Sequence, residues 1–246
     1  MAAPTVPKGS RSARPHPSRP ALTHQDVVDA ALKLIDSDGL ENFTMRALAK
    51  TMGVYPTALY YHVGSKAQLL AAVATRVFDE VVLPDEHRLG WERWLTEVAE
   101  LCRKAMHRHP EIAQIAGNQM VISTTCMPMV ERIVGVLERT GFVGPDLVHA
   151  YNALLGFILG WTALELSAEP SGVESDWKSE LSQELRGLDP NAYPALNRNM
   201  AGLENNAFMA RYDSGRTHPM DDSFQASTRI LLAGLRAQLS ESGHAQ

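Results

Sequence analysis

The sequence predicts an all-α protein. Three observations lead there. Apolar residues recur at helical spacing along most of the chain. Ser, Thr and Pro at candidate helix starts alternate with Gly at candidate stops. No run alternates apolar and polar residues as a half-buried strand would. The chain has 246 residues, 45% of them hydrophobic, which is enough for a sizeable core.

Residues 1–20 are rich in Pro, Ser, Ala and basic residues, and no acid precedes Asp26. This composition predicts a disordered basic arm, either a tail that tracks phosphates or an inert terminus. Thr23 starts the first helix, with Asp26 placed to complete a capping box, and Gly39 stops it. Thr44 caps a second, short helix whose Met45, Leu48, Ala49 and Met52 face inward, and Gly53 breaks it. Pro56 suits the first turn of a third helix, where its missing N–H has no intrahelical partner to lose. Gly64 ends that helix. Ser65 and Gln68 form a second capping box, opening a fourth helix expected to run to about Val82.

Pro84 to Gly90 reads as a linker. Trp91, Trp94, Leu95, Val98, Leu101, Cys102, Ala105 and Met106 then mark a long amphipathic helix ending at His109-Pro110. A short helix follows to about Ala116, and another runs from Pro128 to Thr140, closed by Gly141. Pro145 opens a long helix to about Ala168. It is apolar almost all round, so it must be covered on most sides. Its uncharged run, residues 150–164, is too short to span a bilayer and reads as a buried or interface helix. Residues 171–220, broken by Pro, Gly and Asn, hold two or three short helices. Asp221 to Leu239 forms the last, with Phe224, Ile230, Leu231, Leu235 and Leu239 on its apolar side. The division is a basic arm (1–20), a helix-turn-helix domain (21–83) and a larger helical domain (84–246).

The net charge of −5 hides an asymmetry. Residues 1–76 carry nine Lys and Arg against five Asp and Glu, so the acidic excess lies entirely beyond them. Such a pattern fits a polyanion partner for the first part, or simple segregation of solvated charges. Two distant cysteines imply no disulfide framework, and no apolar signal region opens the chain, so a cytoplasmic setting is expected.

Two short helices joined through a Gly turn, the second exposed and polar, make a helix-turn-helix whose second helix enters the major groove. That explains Tyr60-Tyr61-His62. Successive helix residues point about 100° apart. A helix lying in a groove has DNA on more than one flank, so consecutive amphiphilic rings can all find partners. Leu59 and Val63 are the inward anchors.

Residues about 23–82 resemble the DNA-binding domain of the tetracycline-repressor (TetR) family of transcriptional regulators. The matching residues are Thr44-Met45-Arg46, Leu48-Ala49, Gly53-Val54, Leu59-Tyr60-Tyr61-His62-Val63, Ser65-Lys66 and Leu69-Leu70. The resemblance implies that Thr44, Tyr60, His62 and Lys66 hold phosphates. It implies that Arg46, Thr57 and Tyr61 face bases, with Tyr55 and Pro56 at the start of the recognition helix. It further implies double-stranded operator DNA as partner and a homodimer, built by pairing the long apolar helix and the last helix with their copies. Gly156 and Gly160 would permit close approach.

In the larger domain, Trp94, Met106, Met120, Met127, Phe157 and Trp161, punctuated by Gln114 and Asn152, are candidate lining for a lipophilic small molecule. His107, Arg108, His109 and Glu111 invite a metal reading. However, His residues two apart point to different sides of a helix, unlike an i, i+4 zinc pair. Magnesium-ligating members of the family carry a His where Gln114 falls and an acid near Glu165, so only half of that pair is present. No metal and no cofactor is expected, no membrane is expected as a partner, and no catalytic motif is visible. The expected function is therefore a repressor released from a palindromic operator by a small lipophilic ligand. An activator or a ligand-independent regulator of the same fold is the alternative. An enzyme or binding module with an appended helix-turn-helix would need a polar constellation that residues 91–246 do not display.

Overall fold

The structure, a computed structural model, describes residues 21–118, 126–169, 172 and 176–242. The basic arm and Met120 lie outside the described residues. Every regular element among them is helical.

Local chemistry sets the first four helices. Thr23 and Asp26 form the expected capping box at the head of α1 (His24–Asp38), and Gly39 closes it at φ +83°. Thr44 caps α2 (Met45–Met52) by accepting from the Ala47 N–H at 3.0 Å. Gly53 then turns left-handed at φ 65°, ψ 37°, a conformation that costs Gly little. Pro56 opens α3 (Pro56–Val63). Ser65 caps α4 (Lys66–Arg76) by accepting from the Gln68 N–H. The reciprocal half of this box is absent, because the Ser65 N–H donates to the Val63 carbonyl at 2.8 Å. Nor does α4 continue to Val82. After Arg76 the chain tightens into a 3-10 turn, Val77–Glu80. The Thr75 hydroxyl lies against the Ala71 and Ala72 carbonyls just before it, a back-bond that bends helices.

The larger domain comprises α5 (Trp91–Arg108), α6 (Pro110–Asn118), α7 (Met127–Thr140), α8 (Gly144–Glu165), α9 (Trp177–Arg186), α10 (Pro194–Leu203) and α11 (Asp221–Ser242), with a 3-10 turn at Phe208–Ala210. Helix α8 packs against α5, α6, α7 and α11. At 22 residues it exceeds the uncharged run and is long and apolar enough to cross a membrane, by length and composition alone. Coverage of α8 is less complete than expected. Val148 and Leu164 are exposed, and a Cβ at Gly156 or Gly160 would meet open space. On α11 the buried side is Phe224, Thr228, Leu232 and Leu235. Ile230, assigned to that side from sequence, is 73% exposed.

Two cores result. One is built from α1–α4, around Ile35, Leu48, Leu59, Leu69 and Val73, but it also takes Ala105, Ile112 and Ile115 from α5 and α6. The other gathers Trp94, Val98, Met106, Leu137, Phe142 and Phe224 from the larger domain. Polar contacts reinforce the junction. His109 Nδ1 lies 2.8 Å from Asp36 Oδ2, and Glu111 accepts from the Leu40 N–H.

Candidate functional site

The helix-turn-helix presents its polar residues outward. Leu59 and Val63 seat α3 on the first core at 0% and 5% exposure, while Tyr55 and Tyr61 stand at 84% and 87%. Tyr60, Thr57, Arg46 and Thr44 are exposed as well, with Pro56 and His62 half-buried. The Tyr61 and His62 rings meet edge to face at 5.2 Å, which limits the orientations of both. One surface therefore collects hydroxyl, imidazole and guanidinium groups, of which the Thr44 hydroxyl also caps α2. Lys66 differs. Its Nζ donates to the Phe43 carbonyl at 2.9 Å and sits 5.5 Å from the Phe43 ring centroid. The ammonium thus ties the head of α4 to the segment before α2, and it holds two further N–H bonds for an outside partner. Gly64 is also specific. A Cβ there would fall 2.2 Å from the Gln68 side-chain oxygen, at φ +71°.

The second feature is a cavity of about 220 Å³ where α4, α5, α6, α7 and α8 meet. Ala74 and Thr75 of α4 and Phe78 just after it form one wall. Cys102 and Ala116 form another, and Cys126, Met127, Met129, Val130 and Ile133 a third. Tyr151, Leu154 and Ile158 line the side along α8. Of the residues singled out from sequence, Met127 lines this cavity. Trp94 does not. It is fully buried, donates through its indole N–H to the Pro84 carbonyl, and packs under the Arg132 guanidinium. Met106 is sealed in the core. Gln114 donates to the Ala163 carbonyl at 3.0 Å. Asn152 faces outward, and Phe157 and Trp161 belong to an aromatic cluster with Phe224 and Phe208. The signal that was available is the periodicity of Tyr151, Leu154, Leu155, Ile158 and Leu159, one stripe of α8.

A third feature went unread. Arg103, 7% exposed on α5, holds Glu165 through two bonds of 2.8 and 2.6 Å and reaches Asp221 at 2.7 Å. Glu165 also accepts from the Met220 N–H. Burial pushes the Glu165 carboxyl up, but Arg103, His107 and that N–H outweigh it and bring it down to about 2. Arg103 fixes α5 to the end of α8 and the start of α11. Glu165 and Gln114, the positions that the resemblance set beside the magnesium ligands, are engaged within the fold, Glu165 by Arg103 and Gln114 by the Ala163 carbonyl. Among the described residues no cluster of His, Cys, Asp or Glu is arranged to hold a metal.

Known proteins share this architecture. The description "Tetracyclin repressor-like, C-terminal domain" matches residues 83–239, and "Bacterial regulatory proteins, tetR family" matches residues 27–73. An HTH-type transcriptional regulator of Saccharopolyspora erythraea is 29% identical over 148 residues, which span 60% of this chain and 63% of that protein. The class E tetracycline repressor of Escherichia coli is 35% identical over 148 residues, 56% of this chain and 66% of that protein. The chain spans between 53% and 64% of the length of the first curated relatives it matches. Among solved structures, ActR of Streptomyces coelicolor in complex with actinorhodin has a TM-score of 0.73 at 25% identity, covering 89% of this chain and 99% of that one. A possible TetR family regulator from the same organism reaches 0.69 at 27% identity, over 87% and 98%. A protein with a helix-turn-helix head and a helical body of this kind is a transcriptional regulator. This chain belongs to the tetR family of bacterial regulatory proteins.

Proposed function

We propose that the protein is a cytoplasmic, homodimeric repressor that leaves its operator when a small lipophilic molecule enters the five-helix cavity. The observation that carries this reading is the position of α4. Its first residue, Lys66, is tied to the segment before α2, and its later residues Ala74 and Thr75 form a cavity wall. A ligand that displaces that wall moves the helix-turn-helix. In a dimer the two recognition helices must sit about 34 Å apart to meet successive major grooves. A small swing of each α4 breaks that match. The exposed apolar residues of α8 and α11, with Gly156 and Gly160 open between them, support pairing with a second copy.

The same reading assigns phosphate to Thr44, Tyr60, His62 and Lys66, and bases to Arg46, Thr57 and Tyr61. Hydroxyls and ammonium groups suit the backbone, while a Thr methyl can pack on a thymine methyl. A tenfold loss of operator affinity requires about 1.4 kcal/mol of preference for the released state, and operator DNA must weaken the ligand by the same factor.

Footprinting of bound sites across the genome, followed by titration of the recovered duplex, tests the proposal. Palindromic sites overlapping promoters and a dimer by light scattering are expected. A monomer that retains tight DNA binding would remove the dimer. Sites that raise transcription when bound would replace the repressor with an activator.

A further inference from the structure

We propose that the effector is an uncharged aromatic molecule with a single hydrogen-bonding group, which is received by Tyr151. This rests on the reading that the five-helix cavity is the effector site. The cavity wall carries no Asp, Glu, Lys, Arg or His among the described residues. An ion entering it would shed its hydration and meet no counter-charge, a penalty that keeps isolated charges out of protein interiors. The neighbouring cations offer no relief, because Arg103 is bound to Glu165 and Arg132, on the adjoining space, to Glu86.

Polar groups on the wall are few and mostly spent. The Thr75 hydroxyl lies 2.9 Å from the Ala72 carbonyl and 3.1 Å from that of Ala71, so its proton is used. The Cys102 thiol lies 4.0 Å from the Met129 sulfur, and burial pushes it up to about 12, which keeps it neutral. Wall backbone within the helices is engaged in its own hydrogen bonds. Tyr151 is the exception. It is half-buried, and its phenol takes no hydrogen-bond partner among the described residues. The rest of the wall is soft. Cys102, Cys126, Met127 and Met129 bring four sulfur atoms to one small space, beside the Phe78 ring. Polarisable sulfur packs favourably on aromatic edges, and Met adapts to the outline of its guest.

Two matched pairs of probes test this. The first is 1-anilinonaphthalene and its sulfonate, 8-anilinonaphthalene-1-sulfonate, followed by fluorescence. They share rings and differ in charge. The neutral probe should bind at least about 30-fold more tightly, since the sulfonate gains no partner. Ile158→Trp and Met129→Trp fill the cavity from α8 and α7, and either should abolish the neutral probe's signal in a protein that still melts cooperatively. The second pair is 1-naphthol and naphthalene. The phenol should gain about fivefold from one hydrogen bond, and Tyr151→Phe should erase that gain without weakening naphthalene.

The outcomes separate the claims. If no neutral probe binds, the effector-site reading itself falls. If the sulfonate binds as well as its neutral partner and the filling variants block both, the charge rule is overturned and the site stands. If 1-naphthol keeps its advantage in Tyr151→Phe, another group receives the ligand.

Discussion

The two ends of α4 belong to different kinds of site. At its head lies a surface made by about two dozen consecutive residues, each presented by a local cap or turn. Near its tail lies a cavity whose walls come from five helices spread over residues 74–159. The first is defined by what the chain exposes, the second by what the packing fails to fill. Changes at the surface should therefore alter binding with little effect on stability. Changes around the larger domain's core should alter stability first.

The largest effect tests the second half of that contrast. Arg103→Ala strands Glu165 without its cation, and breaking a buried pair in this way costs about 3–5 kcal/mol. Urea denaturation should show it. Replacing both partners, with Arg103→Met and Glu165→Leu, should restore much of the loss. If Arg103→Ala were as harmless as a surface change, the larger domain would not depend on this staple.

The same pair sets an acid response. Glu165 is held at about 2 in the fold, against an ordinary value of about 4.3. A depressed carboxylate contributes stability that is complete above the unfolded value and is lost as pH falls toward the folded one. That loss amounts to about 3 kcal/mol between pH 5 and pH 2. Glu165→Gln should be less stable at pH 7 and should lack this part of the decline. Comparing the two proteins isolates it from Glu86, which Arg132 holds low in the same way.

Tyr61→Ala sharpens the first half. Its ring is 87% exposed, so melting should move little. Discrimination between operator and random duplex should fall by about 1–3 kcal/mol. Thr44→Ala is the exception on this surface, because it removes the cap on α2 and should cost about 1 kcal/mol of stability. The smallest change is Lys66→Ala. It should weaken specific and random DNA alike and reduce the salt slope by about one unit. Some stability should go with it, through the lost bond to Phe43.

The contrast also explains what could be read from residues alone. Thr23, Thr44, Ser65, Gly53 and Gly64 act within a turn or so of themselves, and the helix ends they mark fall where expected. The same holds for Gly141, at φ 116°. The cavity was illegible because Met127 lies on it while Met106, equally apolar, does not. That distinction depends on where helices cross. Arg103 was nearly legible. It continues the buried stripe Leu95, Ala99 and Met106 on α5, and a cation on such a stripe demands a buried acid. Glu165, at the end of the long apolar run of α8, was the natural partner. Ile230 failed for a different reason: helical spacing marks apolar positions but not which side of α11 the rest of the chain covers.

The residues that α5 and α6 lend to the first core reach beyond this molecule. Ala105, Ile112 and Ile115 lie outside the segment 21–83 but fill its interior. A DNA-binding head grafted from this protein onto another regulator's body would arrive with part of its filling missing. A biosensor built by such recombination should place its crossover beyond α6, or import those three side chains with the head.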